Sequence, residues 1–309
     1  MKNKSRLPYT SDRKLYEKLN HLDTEQRNPE SWNIDLADPE EIVRIMNGQD
    51  RLVAECVALK SKEIAVAIDR AATALSRGGR IIYVGAGTSG RLGVIDAAEC
   101  PPTFGTDPGQ VVACIAGGPE AVFQAQEGVE DRPEEGMRDM SIIKVTDKDI
   151  ICGLAASGRT PYVLGALEEA SRCGAETVMV CCVGQKQLDA SVKAGLIIDI
   201  PVGPEVIMGS TRLKSATAQK MVCNMITTGA MIRLGKIYEN VMVDLMLTNE
   251  KLVQRAIRIL SMLTGLEYNE ARAALEKADG NVKTVMVMVK AGVSAEKAKS
   301  LLSEHEGFI

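Results

Sequence analysis

Five short apolar runs mark the middle of the chain: 80–84 (RIIYV), 111–116 (VVACIA), 150–155 (IICGLA), 177–183 (TVMVCCV) and 196–200 (LIIDI). None alternates apolar with polar positions, so each reads as a strand apolar on both faces, buried between helices in a parallel sheet. Helical segments such as 161–172 separate several of them. The repeated strand–loop–helix unit predicts an α/β fold with a doubly wound, mainly parallel five-stranded sheet flanked by helices. Upstream, residues 1–37 are polar and irregular. Asp38 is placed to N-cap a helix, Pro39 suits its first position, and Glu41 completes a capping-box spacing. Helix-favouring sequence then runs to about Ser76, with a break expected near Asn47-Gly48. A long helical stretch covers 210–234, and its apolar Met221, Val222, Met225, Ile226, Met231 and Ile232 read as core.

From about Asn249 the pattern changes. Residues 266–305 hold three short helical patterns separated by Gly280 and Gly292, and they resemble a three-helix module of the ubiquitin-associated (UBA-like) type. The expected organisation is a sheet domain with an N-terminal helical extension over 1–250, and a small helical module over 251–309. A length of 309 residues suits two such units.

Composition narrows the function. Lys and Arg total 37 against 41 Asp and Glu, a net charge of −4, which argues against a broad nucleic-acid or anionic-membrane surface. Aromatic residues make up 3% with the single Trp32, too few for a base-stacking platform. The two histidines, His21 and His305, read as surface residues. Histidine metal sites and Ser-His-Asp catalysis are thereby disfavoured, and proton transfer falls to carboxylates or lysine. The eight cysteines show no C-x-x-C spacing, and Cys114, Cys152, Cys181 and Cys182 lie inside apolar runs, a pattern suited to a reducing cytoplasm. The N-terminal MKNKSRLPYTSDRK lacks the apolar core of a secretory signal, and no run reaches about 18 apolar residues, so neither export nor a membrane span is expected.

Ligands of open α/β sheets bind beyond the carboxyl ends of the strands, so the candidate chemistry is sought there. The first strand is followed by Gly85-Ala86-Gly87-Thr88-Ser89-Gly90-Arg91, and the third by Ala156-Ser157-Gly158-Arg159-Thr160. The fifth leads through Gly203 and Glu205 to Met208-Gly209-Ser210-Thr211-Arg212. Each tract sets hydroxyl residues beside glycine, and two run directly into helices. Free N–H groups, a positive dipole end and Ser/Thr donors together cradle a phosphate. Gly85, Gly87 and Gly90 also satisfy the dinucleotide pattern G-x-G-x-x-G, with Asp107 near the expected ribose carboxylate position. Thr88 and Ser89 suit a terminal phosphate better, and the other two hydroxyl loops have no place in a dinucleotide site. The Walker pattern is absent. Candidate acids are Glu99, set just before Pro101-Pro102 where the helix is expected to stop, and Glu130, with Asp96, Glu127 and Asp131 as neighbours that position alone does not separate. Glu205 directly follows the fifth strand. Arg91, Arg159, Arg212 and Lys214 offer positive charge near the loops.

The tracts VGAGTSGRLGVIDAAECPPTFGTDP (84–108), GLAASGRTPYV (153–163), VGPEVIMGSTRLKSATAQK (202–220) and NVMVDLMLTNEKL (240–252) resemble the signature of the N-acetylmuramic acid 6-phosphate etherases. TEQRNP (24–29) and the terminal GFI also fit, so the likeness covers nearly the whole chain. It implies a SIS (sugar isomerase) domain with a small helical C-terminal module. The implied activity is cleavage of the ether between an amino-sugar C3 and D-lactate, by elimination through a ring-opened unsaturated aldehyde and addition of water, with no cofactor and no metal. By the resemblance Glu99 is the proton donor, its pKa raised by burial, and Glu130 the second glutamate. Ser89, Ser157 and Thr160 hold the phosphate, with Gly87, Gly158 and Ser210 in the same loops. Thr88 and Glu205 face the sugar, Glu205 assisting ring opening. The SIS likeness also implies a homodimer with sites near the subunit interface. The alternatives are a sugar-phosphate isomerase, which lacks the DAAECPP tract, and a non-catalytic sugar-phosphate sensor.

Overall fold

The computed structural model describes residues 22–188, 192–247 and 249–309; His21 lies outside them. Strands β1 (Ile81–Gly85), β2 (Val111–Ile115), β3 (Ile150–Leu154), β4 (Glu176–Cys181) and β5 (Leu196–Asp199) form one sheet in the order β2-β1-β3-β4-β5. Every neighbouring pair is parallel, and Ile81 of β1 stands opposite Val111 and Ile150. The central β1 and β3 are buried throughout, whereas the outer β2 and β5 are half-buried at most positions. The expectation of five strands apolar on both faces therefore holds for the middle of the sheet and relaxes at its edges.

Successive residues of a strand point to opposite faces. Ile81 and Tyr83 of β1 join Cys152 and Val180 on one face, packed with Ala67 and Ala71 of α2 (Ser61–Ser76) and Val222 and Ile226 of α7 (Lys214–Arg233). Cys100 and Phe104 of α3 (Gly87–Phe104) close this layer. Ile82 and Val84 face the other way, with Met140 of α5 (Pro133–Ile142) and Val163, Ala166 and Leu167 of α6 (Pro161–Arg172). Between β2 and α5 lies the single-turn α4 (Glu120–Phe123). Eight free cysteines include several deep in these layers, and burial pushes the Cys152 and Cys181 thiols up to about 12.

Three helix expectations are corrected. Helix α1 (Pro39–Ala58) starts with Asp38 accepting from the Glu41 N–H as foreseen, but it runs straight through Asn47-Gly48. An exposed helical glycine costs about 1 kcal/mol. The following turn is fastened by buried Gln49, whose Oε1 accepts from Asn28 Nδ2 (2.8 Å) and Lys214 Nζ (3.0 Å). Helix α3 likewise continues through Pro101 and Pro102 and ends at Gly105, whose φ is 62°. Proline's fixed φ is compatible with a helix, and Cys100 and Phe104 hold the last turn against the sheet. In α7, Val222, Ile226 and Met231 are core, but Met225 and Ile232 are exposed.

Residues beyond α7 build a separate core. A hairpin of β6 (Ile237–Tyr238) and β7 (Val241–Met242) leads into α8 (Glu250–Thr264), α9 (Tyr268–Lys277), α10 (Val282–Ala291) and α11 (Ala295–Glu304). Gly280 and Gly292, both at positive φ, separate the last three. Ile257, Leu260, Leu275, Val285 and Met286 pack together with Val243 and Leu245, so this core begins ahead of residue 251. His305 is exposed. Among the described residues no helix is long and apolar enough to cross a membrane.

Candidate active site

A cavity of about 450 Å³ opens at the carboxyl ends of β1 and β3. Its floor is the start of α3. Ala86 is the N-cap and supplies no capping side chain, so the first N–H groups of α3 and its positive dipole end stay available to an anion. The glycines make this possible by closeness. A Cβ on Gly85 would sit 2.7 Å from the Gly90 nitrogen, and one on Gly90 would sit 2.6 Å from Ile115 Cγ1. Gly87, Thr88 and Ser89 line the cavity. The Ser89 hydroxyl donates to Gln219 Oε1 at 2.7 Å, and Gln219 is itself 1% exposed.

The second wall is the loop from β3 to α6. Ser157 and Thr160 line the cavity. Ser157 Oγ accepts from the Arg159 N–H (3.3 Å), which leaves its own proton free. Thr160 is the N-cap of α6 and makes no side-chain cap bond. The Tyr162 N–H at the start of α6 donates to the Glu130 carbonyl at 3.0 Å. That bond fastens the 124–132 loop to the helix and sets the half-buried Glu130 in the cavity wall, beside exposed Glu127.

The third wall joins the hydroxyl loop expected after β5 to an N-terminal segment that sequence reasoning missed. Gly209 and Thr211 contribute to it, and Thr24 and Glu25 lie against them. The Gly209 N–H donates to the Thr24 carbonyl (3.1 Å), Asn28 Nδ2 to the Pro204 carbonyl (3.0 Å), and Ser31 Oγ to the Val206 carbonyl (2.7 Å). Three short bonds thus strap the N-terminal segment across the loop that follows β5. Its only trace in the sequence was the TEQRNP tract, which has no periodicity to mark it.

Gly87, Thr88, Ser89, Glu130, Ser157 and Thr160 are therefore brought together, whereas Gly158, Ser210, Glu205 and Glu99 fall outside the lining. Gly158 lies behind it, where a Cβ would meet Cys181 Cβ at 3.5 Å. Ser210 gives its place to its neighbours Gly209 and Thr211. Glu205 is 0% exposed and caps α7, accepting from the N–H groups of Lys214 and Ser215 (both 2.9 Å) and from Ser215 Oγ (2.7 Å). It belongs to the scaffold of this chain, not to the sugar face expected for it. Glu99 is exposed on α3. Twelve helical residues separate it from Gly87, about 18 Å along the axis. The burial expected for it is absent, because the helix carries on past Pro101-Pro102. Of its rivals, Asp96 is buried with Oδ1 accepting from Asn224 Nδ2 (2.6 Å), and Asp131 is exposed.

The basic residues mostly serve the scaffold. Arg91 lines the cavity, yet its guanidinium donates to the Ala121 (2.7 Å) and Val122 (2.8 Å) carbonyls. Arg159 donates to the Gln187 carbonyl at 2.8 Å. Lys214 is 2% exposed, and burial pushes its ammonium pKa down. Arg212 is exposed. What the cavity offers an anion is chiefly the free N–H groups at the start of α3 and the hydroxyls beside them.

Residues 63–171 match the family described as the glucokinase regulatory protein N-terminal SIS domain, and 239–300 match the C-terminal lid domain of glucokinase regulatory protein. The phosphoheptose isomerase GmhA of Neisseria gonorrhoeae aligns with a TM-score of 0.42 at 16% identity, over 60% of this chain and 98% of its own. Sequence likeness is far closer to proteins named N-acetylmuramic acid 6-phosphate etherase. That of Salinibacter ruber is 52% identical over 98% of this chain and 97% of its own length. Those of Lactobacillus johnsonii and Clostridioides difficile are 51% and 48% identical, over 94% and 96% of this chain and 97% and 96% of their own. With identity at this level from end to end, the chain belongs to the N-acetylmuramic acid 6-phosphate etherase family.

Proposed function

We propose that this protein cleaves the lactyl ether of N-acetylmuramic acid 6-phosphate, releasing N-acetylglucosamine 6-phosphate and D-lactate. The observation that carries the reading is the cavity: the open N-terminus of α3, the hydroxyls of Ser89, Ser157 and Thr160, and half-buried Glu130 converge in one space. Its volume lies within the range of small-ligand sites, about 300–1,000 Å³.

The phosphate sits on the N–H groups of Thr88 and Ser89 and accepts hydrogen bonds from the three hydroxyls, Ser89 turning its own from Gln219 to the ligand. Anchored there, the sugar opens to a C1 aldehyde, which acidifies the C2 proton. Glu130 takes that proton as the C2–H electron pair forms the C2=C3 double bond and the C3–O bond breaks. A second carboxyl protonates the departing lactate oxygen. Water then adds its oxygen to C3 and a proton returns to C2. Substrate and one water thus give the two products.

Glu99 is too far from the cavity of its own chain to be that second carboxyl. Ile95, one turn before it on the same face of α3, is 57% exposed. An exposed isoleucine beside a displaced catalytic candidate fits a homodimer in which each copy lends Glu99 to the other's cavity. The free, buried thiols fit a reducing cytoplasm.

The test is D-lactate release from N-acetylmuramic acid 6-phosphate without added metal or nucleotide. Glu130→Gln lowers the rate by about 10²–10⁴-fold; a nearly full rate removes Glu130 from the chemistry. Mixing and re-associating Glu99→Gln with Glu130→Gln chains restores about a quarter of wild-type activity if the sites are shared across a symmetric dimer. No recovery refutes sharing. Sugar-phosphate binding without lactate from the wild type would instead support the sensor reading.

A further inference from the structure

We propose that Glu25 is a further catalytic carboxylate of this site, taking the proton of the C1 hydroxyl when the sugar ring opens; the assignment rests on the etherase reading above. Opening a hemiacetal is a separate demand from the elimination. It needs a base at the C1 hydroxyl while Glu130 is reserved for C2 and the second carboxyl for the ether oxygen. Glu205, expected to help here, is locked against the first turn of α7 by three hydrogen bonds. Asp96 does not line the cavity. Two carboxylates in the lining remain without a task, Glu25 and Glu127.

The structure favours Glu25. Glu127 is exposed. Glu25 is half-buried and stands on the strapped segment, whose short turn is fixed by the Thr24–Gly209, Asn28–Pro204 and Ser31–Val206 bonds and by Gln187 Nε2 donating to Asp23 Oδ1 at 2.9 Å. A catalytic group is most effective when its supports are rigid. Oε2 of Glu25 lies 3.4 Å from where a Cβ at Gly209 would stand, so glycine there leaves the carboxylate its room beside the loop. No cation pairs with Glu25 among the described residues. Next to it Thr24, 1% exposed and lining the same cavity, has a hydroxyl without a hydrogen-bond partner among the described residues. A buried hydroxyl left unsatisfied costs about 1–3 kcal/mol, and a polar ligand in the cavity relieves that penalty.

In the step itself, Glu25 accepts the C1 hydroxyl proton. The O–H electron pair becomes the second bond of C1=O. The C1–O5 pair passes to O5, which takes a proton from a water molecule, and Glu25 returns its proton to the hydroxide so formed, so the step is proton-neutral.

The experiment compares two substrates on Glu25→Gln: the ring-closed sugar phosphate, read by lactate release, and the open-chain unsaturated aldehyde 6-phosphate, read by its hydration. Only the first requires ring opening. The loss on the closed sugar is expected to reach about 10²-fold and to exceed the loss on the aldehyde at least about tenfold, with part of it recovered in Glu25→Asp. Equal losses on both substrates, or lactate release within about threefold of wild type, overturn the assignment. Wild-type protein that releases no lactate overturns the etherase reading, and this proposal with it.

Discussion

Replacing Glu205 with Gln separates a scaffold role from a catalytic one. The carboxylate is fully buried and takes three donors at the start of α7. Glutamine retains one oxygen, which serves best facing the two donors of Ser215, and this turns its NH₂ group against the Lys214 N–H. One hydrogen bond to a charged acceptor is lost, about 1.5–3 kcal/mol. The favourable charge at a helix N-terminus goes with it, up to about 2 kcal/mol in a buried setting. Together these predict a loss of about 3 kcal/mol, or a fall in Tm of about 5 °C for a chain of this length. Thermal unfolding followed by circular dichroism reads the first effect. Lactate release well below Tm reads the second, and it should stay within about threefold of wild type, because Glu205 does not line the cavity. An unchanged Tm with a rate reduced about 10²-fold would refute the reasoning and place Glu205 at the sugar.

Two further outcomes follow from the same packing. Gly90→Ala puts a methyl group 2.6 Å from Ile115 Cγ1 and 2.7 Å from the Gly85 carbonyl oxygen. Such overpacking costs about 1–3 kcal/mol and pushes the first turn of α3 off β1, so calorimetry should show N-acetylglucosamine 6-phosphate binding weakened at least about tenfold; unchanged affinity contradicts the cradle. Asp149→Asn removes the buried charge, 1% exposed, that accepts from Arg80 Nη2 (2.7 Å) and from the Thr146 N–H (2.9 Å), and urea unfolding at pH 7 should lose about 2–4 kcal/mol. Burial opposes ionisation of Asp149, but Arg80 and the backbone donors outweigh it and hold the carboxyl below the usual carboxylate range. Its stabilisation is therefore full above about pH 4 and lost as pH falls through the lowered folded value. The gap between wild type and variant should narrow below about pH 4, and a gap independent of pH refutes the ion pair.

Much of the fold was legible because its signals are local. Apolar runs wide enough to be buried on both faces appear in the sequence whatever their neighbours, and β1 to β5 followed within a residue or two. The G-x-G-x-x-G tract announced a close strand–helix approach, since a missing Cβ has few other uses at that spacing. Local signals also misled where tertiary contacts outweigh them. Asn47-Gly48 and Pro101-Pro102 are ordinary breakers, but each costs only a few kcal/mol or less, and Gln49 in one case and Cys100 and Phe104 in the other hold the helix in place.

The site divided the same way. From the chain alone one could read which strand ends carry hydroxyls and glycines, the expectation that carboxylates and not the two histidines handle protons, and, through long family tracts, the family itself. Which carboxylates meet depends on tertiary packing. Glu205 sits one residue-pattern away from a substrate role, yet the start of α7 folds back onto it. Glu99 is carried off along a helix that does not stop at Pro101-Pro102. Glu25 arrives from a segment roughly sixty residues upstream of the first phosphate loop, delivered by three backbone-directed hydrogen bonds that leave no periodic trace. Side-chain type is written in the chain; the distance between two side chains depends on where every intervening element packs.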